Sequence, residues 1–373
     1  MDDEDDLRAW LVLLRTPGLG PAQLRERLAA RAGDIRAVLE ELRCAPGAGT
    51  AARAWLARPD AARLEADHAW LALPGHRLLR CTEADFPPLL EHIAQPPAAL
   101  FVAGEAGLLL HPQVAVVGAR GATAGGLAQA RRFAAALGQA GFLVTSGMAD
   151  GIDGAAHLAA LEAGAATVAV VGTGPDRVYP RKHAALARRI GARGALVSEF
   201  PPGTPARADH FPRRNRLIAG LSLGTLVIEA GLKSGSLITA RLAGEQGREV
   251  FALPGSVHNP LARGCHRLIR DGARLVEEPD EIVEALAPAA RALGLELAAR
   301  LDGAGARGGP AAQAPQDPEH RRLHEALGHD PATLDELVAR TGLAPAALAS
   351  MLLVLELEGR VEGLPGNRYQ RLA

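Results

Sequence analysis

Cysteine is scarce and unpaired. Cys44, Cys81 and Cys265 are isolated, with no CxxC pair. This excludes a disulfide framework and points to a reducing compartment. His258, Cys265 and His266 lack the fourth ligand that a zinc site wants, so no metal is expected. Aromatic residues make up only 3% of the chain, which excludes a long base-stacking track. No apolar run approaches the roughly 20 residues of a membrane helix. The first residues, Met1 to Asp6, are acidic where a signal peptide would be basic. A soluble, cytoplasmic protein is therefore expected. Two nucleotide-binding signatures are also missing. There is no GxxxxGK[ST], and the loop Gly118-Ala-Arg120-Gly-Ala-Thr-Ala-Gly125-Gly126 is not a GxGxxG, so a P-loop ATPase and a nicotinamide enzyme are both disfavoured.

The total charge is nearly balanced, at −1. Locally it is not. Between Pro201 and Arg270 ten Lys/Arg face four Asp/Glu, and such a local field steers ligands whatever the total. An apolar fraction of 48% in 373 residues is enough for a sizeable core and two or three domains.

Residues 1–75 read as helices, broken at Pro17-Gly18-Leu19-Gly20-Pro21. That turn suits either a helix-hairpin-helix phosphate site or a plain tight turn. Residues 78–110 read as a proline-interrupted connector with short extended pieces, in which Pro96-Pro97-Ala-Ala-Leu-Phe-Val102 suits a strand entering the next domain. From Gln113 short apolar runs alternate with helical patterns. Strands are expected at 114–117, 142–145, 167–171, 195–200, 225–228, 249–253 and 274–276, and helices at 124–138, 154–163, 182–190, 213–220 and 236–246. This is an α/β pattern with a parallel sheet covered on both faces, and its ligands bind at the carboxyl ends of the strands. Residues 80–286 form this core, 287–318 a linker whose Ala-rich start suits a helix, and 319–373 a small winged-helix-like module. In that module Glu319 to Leu327 is one helix and Leu334 to Thr341 the next, with Thr333 and Glu336 as its capping box, and Pro345 to Glu358 is a third helix without Lys or Arg. A third helix of that charge favours contact with protein, or weak contact with DNA.

Several loops could hold phosphate in nests of backbone N–H groups. Arg213-Arg214-Asn215-Arg216 opens a helix beside the aromatic Phe211. It suits either a solvated basic face or a half-buried helix facing a pocket. Ser146, Asp153 and His157 suggest a catalytic cluster, but a strand-to-helix turn capped by Asp153, with His157 bonded internally, explains them as well. The expectation is a short site with a few phosphates in nests and one or two stacked bases, in a binding protein and not an enzyme.

The residues Val-Gly-Ala-Arg120, Ser146-Gly-Met-Ala-Asp-Gly-Ile-Asp-Gly-Ala-Ala-His157, Gly172-Thr-Gly-Pro-Asp-Arg-Val-Tyr-Pro180, Ser198-Glu-Phe-Pro-Pro-Gly, Phe211-Pro-Arg-Arg-Asn-Arg216, Ser234-Gly-Ser-Leu-Ile-Thr-Ala240 and Pro254-Gly255 carry a resemblance to the DNA processing protein A (DprA/Smf) family. The resemblance spans about residues 80–285. It implies an extended Rossmann-like core between a helical N-terminal domain (SAM/helix-hairpin-helix-like) and a C-terminal winged helix. It also implies single-stranded DNA binding, homodimers, and loading of the recombinase RecA in natural transformation. By the same resemblance the DNA site would use Arg120, Ser146, Gly147, Arg207, Phe211, Arg214, Asn215, Arg216, Lys233, Ser234 and Gly235, with Lys182 and Arg274 at its margins. No cofactor is implied. His183 and Asp150 depart from the family pattern, in which Asn and a basic residue are usual. The competing expectation is a nucleotide-processing phosphoribohydrolase-like enzyme using Glu229, although Leu221-Ser-Leu-Gly-Thr225 lacks that group's paired glycines.

Overall fold

The computed structural model describes residues 2–44, 49–305, 323, 326–327, 332–343, 348, 352, 361–364 and 368–371. They fall into two compact units, 1–303 and 304–373.

The larger unit opens with helices α1 (Asp2–Leu14), α2 (Pro21–Ala30), α3 (Ile35–Cys44), α4 (Thr50–Ala57) and α5 (Ala61–Leu71). The Gly18–Pro21 break is a turn with Gly18 at positive φ, followed by Pro21 in the first turn of α2, where its missing N–H costs nothing. Asp60 caps α5 by accepting from the Arg63 N–H. The sheet strands and helices then follow: β1 (His76–Arg80), α6 (Pro88–Glu91), β2 (Ala99–Gly104), β3 (Gln113–Gly118), α7 (Ala124–Gln139), β4 (Leu143–Ser146), α8 (Ile152–Glu162), β5 (Thr167–Val170), α9 (Ala184–Arg193), β6 (Ala195–Ser198), α10 (His210–Leu221), β7 (Gly224–Ile228), α11 (Ser236–Glu245), β8 (Glu249–Ala252), α12 (Arg263–Arg270), β9 (Arg274–Leu275) and α13 (Pro279–Gly305).

The nine strands make one sheet in the order β1-β2-β6-β5-β4-β3-β7-β8-β9. From β6 to β9 every pairing is parallel, while β1–β2 and β2–β6 are antiparallel. The connector thus supplies two strands of the sheet, β2 where a strand was expected after Pro96-Pro97 and β1 in addition. Its prolines stand outside β1 and β2, around α6, so they interrupt the chain without costing ladder bonds. The expected linker is likewise helical at its start, since α13 runs to Gly305; its remainder lies outside the described residues.

Strand β3 shows how the layers form. Its side chains alternate between faces. Val114 and Val116 pack with Phe133 and Leu137 of α7, whereas Ala115 and Val117 pack with Leu217 and Ile218 of α10. A third core joins Trp10, Leu13 and Trp70 of the N-terminal helices to Ala99 and Phe101 of β2. Arg15 adds a polar tie. It forms a bidentate pair with fully buried Asp67 (2.6 Å for each bond) and donates to the Pro202 carbonyl at 2.8 Å.

In the smaller unit, α14 (Leu334–Thr341) is capped reciprocally by Thr333 and Glu336 and stops at Gly342 in the left-handed region. Strand β10 (Ala332–Thr333) pairs with β12 (Arg368–Arg371), which pairs antiparallel with β11 (Val361–Leu364), as in a wing. The expected helices at 319–327 and 345–358 lie mostly outside the described residues.

Candidate nucleic-acid interface

The chain runs from β3 outward to β4, β5 and β6, then crosses back through α10 to β7 on the other side of β3. That reversal opens a crevice beyond the carboxyl ends of the strands. A cleft of about 860 Å³ lies there, lined by Arg120 after β3, Arg207 and Phe211 before and in α10, and Lys233, Ser234 and Gly235 before α11. Arg214, Asn215 and Tyr179 also line it.

Arg120 and Lys233 are exposed and make no ion pair among the described residues. Arg207 is exposed and sits 3.2 Å from Asp209. Two guanidinium groups approach the Phe211 ring, with the Arg120 Cζ 5.9 Å and the Arg214 Cζ 6.0 Å from its centroid. Its other neighbour is Tyr179, 5.5 Å between centroids. Tyr179 is the one largely exposed aromatic among the described residues, at 48%, and it is missing from the site expected from sequence. Its sequence signal is the tyrosine of the Gly172–Pro180 motif.

The floor of the cleft is a buried polar network. Arg214 donates from Nη1 to the Gly147 carbonyl at 2.7 Å and to that of Val170. Gly147 is required for this approach, because a Cβ there would lie 2.2 Å from Nη1. Burial pushes the Arg214 guanidinium down to about 10, Asp153 raises it and Arg120 lowers it further, so it stays charged at neutral pH. Asp153 is buried and accepts from the Gly147 and Ala149 amides at 3.2 and 3.3 Å. It stands inside the first turn of α8, not at its cap, which is Gly151. Burial raises its pKa, while Arg214 and those amides pull it back.

Ser146 donates to the Val116 carbonyl at 2.6 Å, and His157 Nδ1 sits 2.7 Å from Thr167 Oγ1. Because that hydroxyl donates to the Val144 carbonyl, it accepts from His157, which leaves Nε2 bare. Burial, then the charges of His183 and Arg214, push His157 down to about 3. Ser146 and Gly147 therefore lie beneath the cleft surface, supporting Arg214.

Arg216 is buried too, paired through Nη2 with equally buried Glu199. It does not line this cleft. Lys182 lies on the far side of Arg120, 2.9 Å from Asp150. Arg274 is on β9, three strand spacings or about 14 Å from β3. His183 and Asp150, the two departures from the family pattern, meet at 3.4 Å.

Glu229, the residue of the competing enzyme reading, has φ +51°, a strained conformation for a non-glycine residue. Its carboxylate accepts from the Thr123 N–H at 2.7 Å, the Thr123 hydroxyl at 2.6 Å and Asn259 at 3.1 Å. It packs so closely on α7 that a Cβ at Gly126 would lie 2.3 Å from Oε2. Both oxygens are committed to holding the N-terminus of α7. Among the described residues no group of three or more His, Cys, Asp or Glu is placed to hold a metal ion, and no helix is long and apolar enough to cross a membrane.

A family profile described as DNA recombination-mediator protein A matches residues 77–287, and one described as the DprA winged helix domain matches 308–367. Protein Smf of Escherichia coli is 43% identical over 324 residues, covering 83% of this chain and 81% of that protein. The crystal structure of DNA processing protein A from Streptococcus pneumoniae superposes with a TM-score of 0.67 at 34% identity, covering 74% of this chain and 97% of that one. A DNA processing protein A from Helicobacter pylori, whose structure concerns its single-stranded DNA binding mode, gives a TM-score of 0.52 at 27% identity over 57% of this chain and 96% of that one.

Proposed function

The chain belongs to the DNA recombination-mediator protein A (DprA/Smf) family, and from that premise we propose that it binds single-stranded DNA in the cleft beyond β3 and β7. The observation that carries this reading is the convergence of Arg120, Arg207 and Lys233 on one concavity around Phe211 and Tyr179. Cations meet phosphates there, and the two rings offer faces on which bases stack, at about 1–3 kcal/mol per base. Base stacking needs no particular sequence, so binding is tolerant of sequence and falls with salt. Arg120→Ala is expected to weaken binding of an oligothymidylate and to flatten its log–log salt dependence by about 0.7, the loss of one single-strand phosphate contact. An unchanged slope removes Arg120 from the site.

The same premise supports a mediator role, in which a cytoplasmic homodimer protects the strand and loads RecA during natural transformation. RecA filament assembly on an oligonucleotide already coated with single-strand-binding protein tests the loading; no acceleration by this protein refutes it. Light scattering that gives the mass of one chain refutes the dimer. The enzyme reading is disfavoured by the engaged carboxylate of Glu229. Release of free base from nucleoside monophosphates, lost in Glu229→Gln, would reinstate it.

A further inference from the structure

Arg120 separates two concavities. The second, about 560 Å³, is lined by Arg120, Arg131, Asp150, Lys182, His183 and Arg189 together with small and aliphatic residues. Its cations come from four places: the loop after β3, α7, the short 3-10 turn Arg181–His183, and α9. Arg120, Arg131 and Arg189 are exposed and have no ion pair among the described residues. The contrast on α7 is informative. Arg132 turns the other way and pairs with Glu278, while its neighbour Arg131 faces the cleft unpaired. The one carboxylate in the lining, Asp150, is held by Lys182 at 2.9 Å and His183 at 3.4 Å.

Gathering like charges in a concavity raises its potential and concentrates anions. A guanidinium fork matches a phosphate. No Phe, Tyr or Trp lines this second cleft, so it offers no platform for a base. The two clefts thus differ in kind: the first has rings and cations, the second cations alone. We propose that a single strand held in the first cleft continues past Arg120 into the second, where Arg131, Arg189 and Lys182 hold its phosphodiester backbone. Asp150 competes with the strand for Lys182. This rests on the first cleft being the single-strand site.

The test compares a short oligothymidylate of about 6 nucleotides, which the first cleft alone can hold, with one of about 20. Both are titrated at several salt concentrations against the full chain, the double variant Arg131→Ala/Arg189→Ala, and Asp150→Asn. The double variant is expected to bind the short strand as the unaltered protein does. It should lose affinity for the long one, with a salt slope reduced by about 1.4 for two lost phosphate contacts. Asp150→Asn frees Lys182 and is expected to raise affinity for the long strand alone, by roughly two- to fivefold, the worth of an exposed ion pair. Long-strand binding unaffected by both variants overturns the proposal, as does an equal change for the two lengths. If the unaltered protein binds neither strand, the single-strand reading of the first cleft fails and the extension fails with it.

Discussion

Arg214 and Arg216 stand two residues apart on α10, on different sides of it, and both are buried. Arg214 reaches the carbonyls at the ends of β4 and β5 beneath the cleft, whereas Arg216 meets Glu199. Arg216→Ala strands a buried carboxylate. It is expected to cost about 3–5 kcal/mol in urea unfolding, most of it recovered by replacing both partners with apolar residues. Oligonucleotide affinity of the folded variant should be unchanged; a loss of affinity without a loss of stability would put Arg216 back in the site.

His157 gives a second residue-level test. Its folded pKa of about 3 lies below the ordinary 6.5. Above 6.5 both states are neutral and its contribution is full. As pH falls from 6.5 toward 3 only the unfolded chain takes the proton, so stability is lost. The buried carboxyl of Asp153 shifts the opposite way, so comparison with His157→Gln isolates the histidine. The stability advantage of the unaltered protein over the variant should shrink by about 2 kcal/mol between pH 6.5 and 5. A constant difference contradicts a buried neutral His157. The sequence showed charge type at 213–216 but not burial, because a row of arginines looks the same whether it meets water, a carboxylate or backbone carbonyls. That Arg120, Phe211 and Lys233 would share the cleft was legible, since each sits beside a glycine- or proline-marked loop at a strand's carboxyl end.

Among the elements, α7 couples the fold to the site. Thr123 caps it by accepting from Gly126 N–H at 3.0 Å, and also holds Glu229. Thr123→Ala is expected to cost about 1–2 kcal/mol through the lost cap. It also loosens the loop that carries Arg120, so oligonucleotide affinity should fall while Thr123→Ser keeps both. Equal affinity in the Ala variant would uncouple the cap from the site. The parallel strands were readable because buried on both faces they are unbroken apolar runs. Strand β2 was readable in the apolar run after Pro96-Pro97, but the edge strand β1 did not stand out from the short extended pieces of 78–110, and the antiparallel hand of their pairing depends on tertiary contacts that no local pattern encodes. Helix α12 has a similar difficulty: Arg263–Arg270 carries three arginines and a histidine and buries little beyond Gly264 and Cys265.

At the scale of the molecule, a nearly neutral chain folds so that cations from residues 120, 207 and 233 share one concavity. The N-terminal helices share a core with β2, and Arg15 ties them to the Pro202 loop that leads into α10. The candidate site and its scaffold thus lie within the compact unit 1–303. The alternation of strands and helices revealed the sheet edge where ligands gather. It did not reveal that Tyr179 would face Phe211 across it, because that meeting depends on how a loop and the first turn of α10, 32 residues apart in number, are folded back together.

The most direct measurement is fluorescence anisotropy of a labelled oligothymidylate with the full chain at two salt concentrations, challenged in turn by unlabelled single strand, duplex and mononucleotide. Binding is expected to be tight, to weaken with salt and to be displaced by single strand in preference to duplex or mononucleotide. No binding, or displacement by low concentrations of mononucleotide, would contradict it and make the cleft the pocket of a small nucleotide.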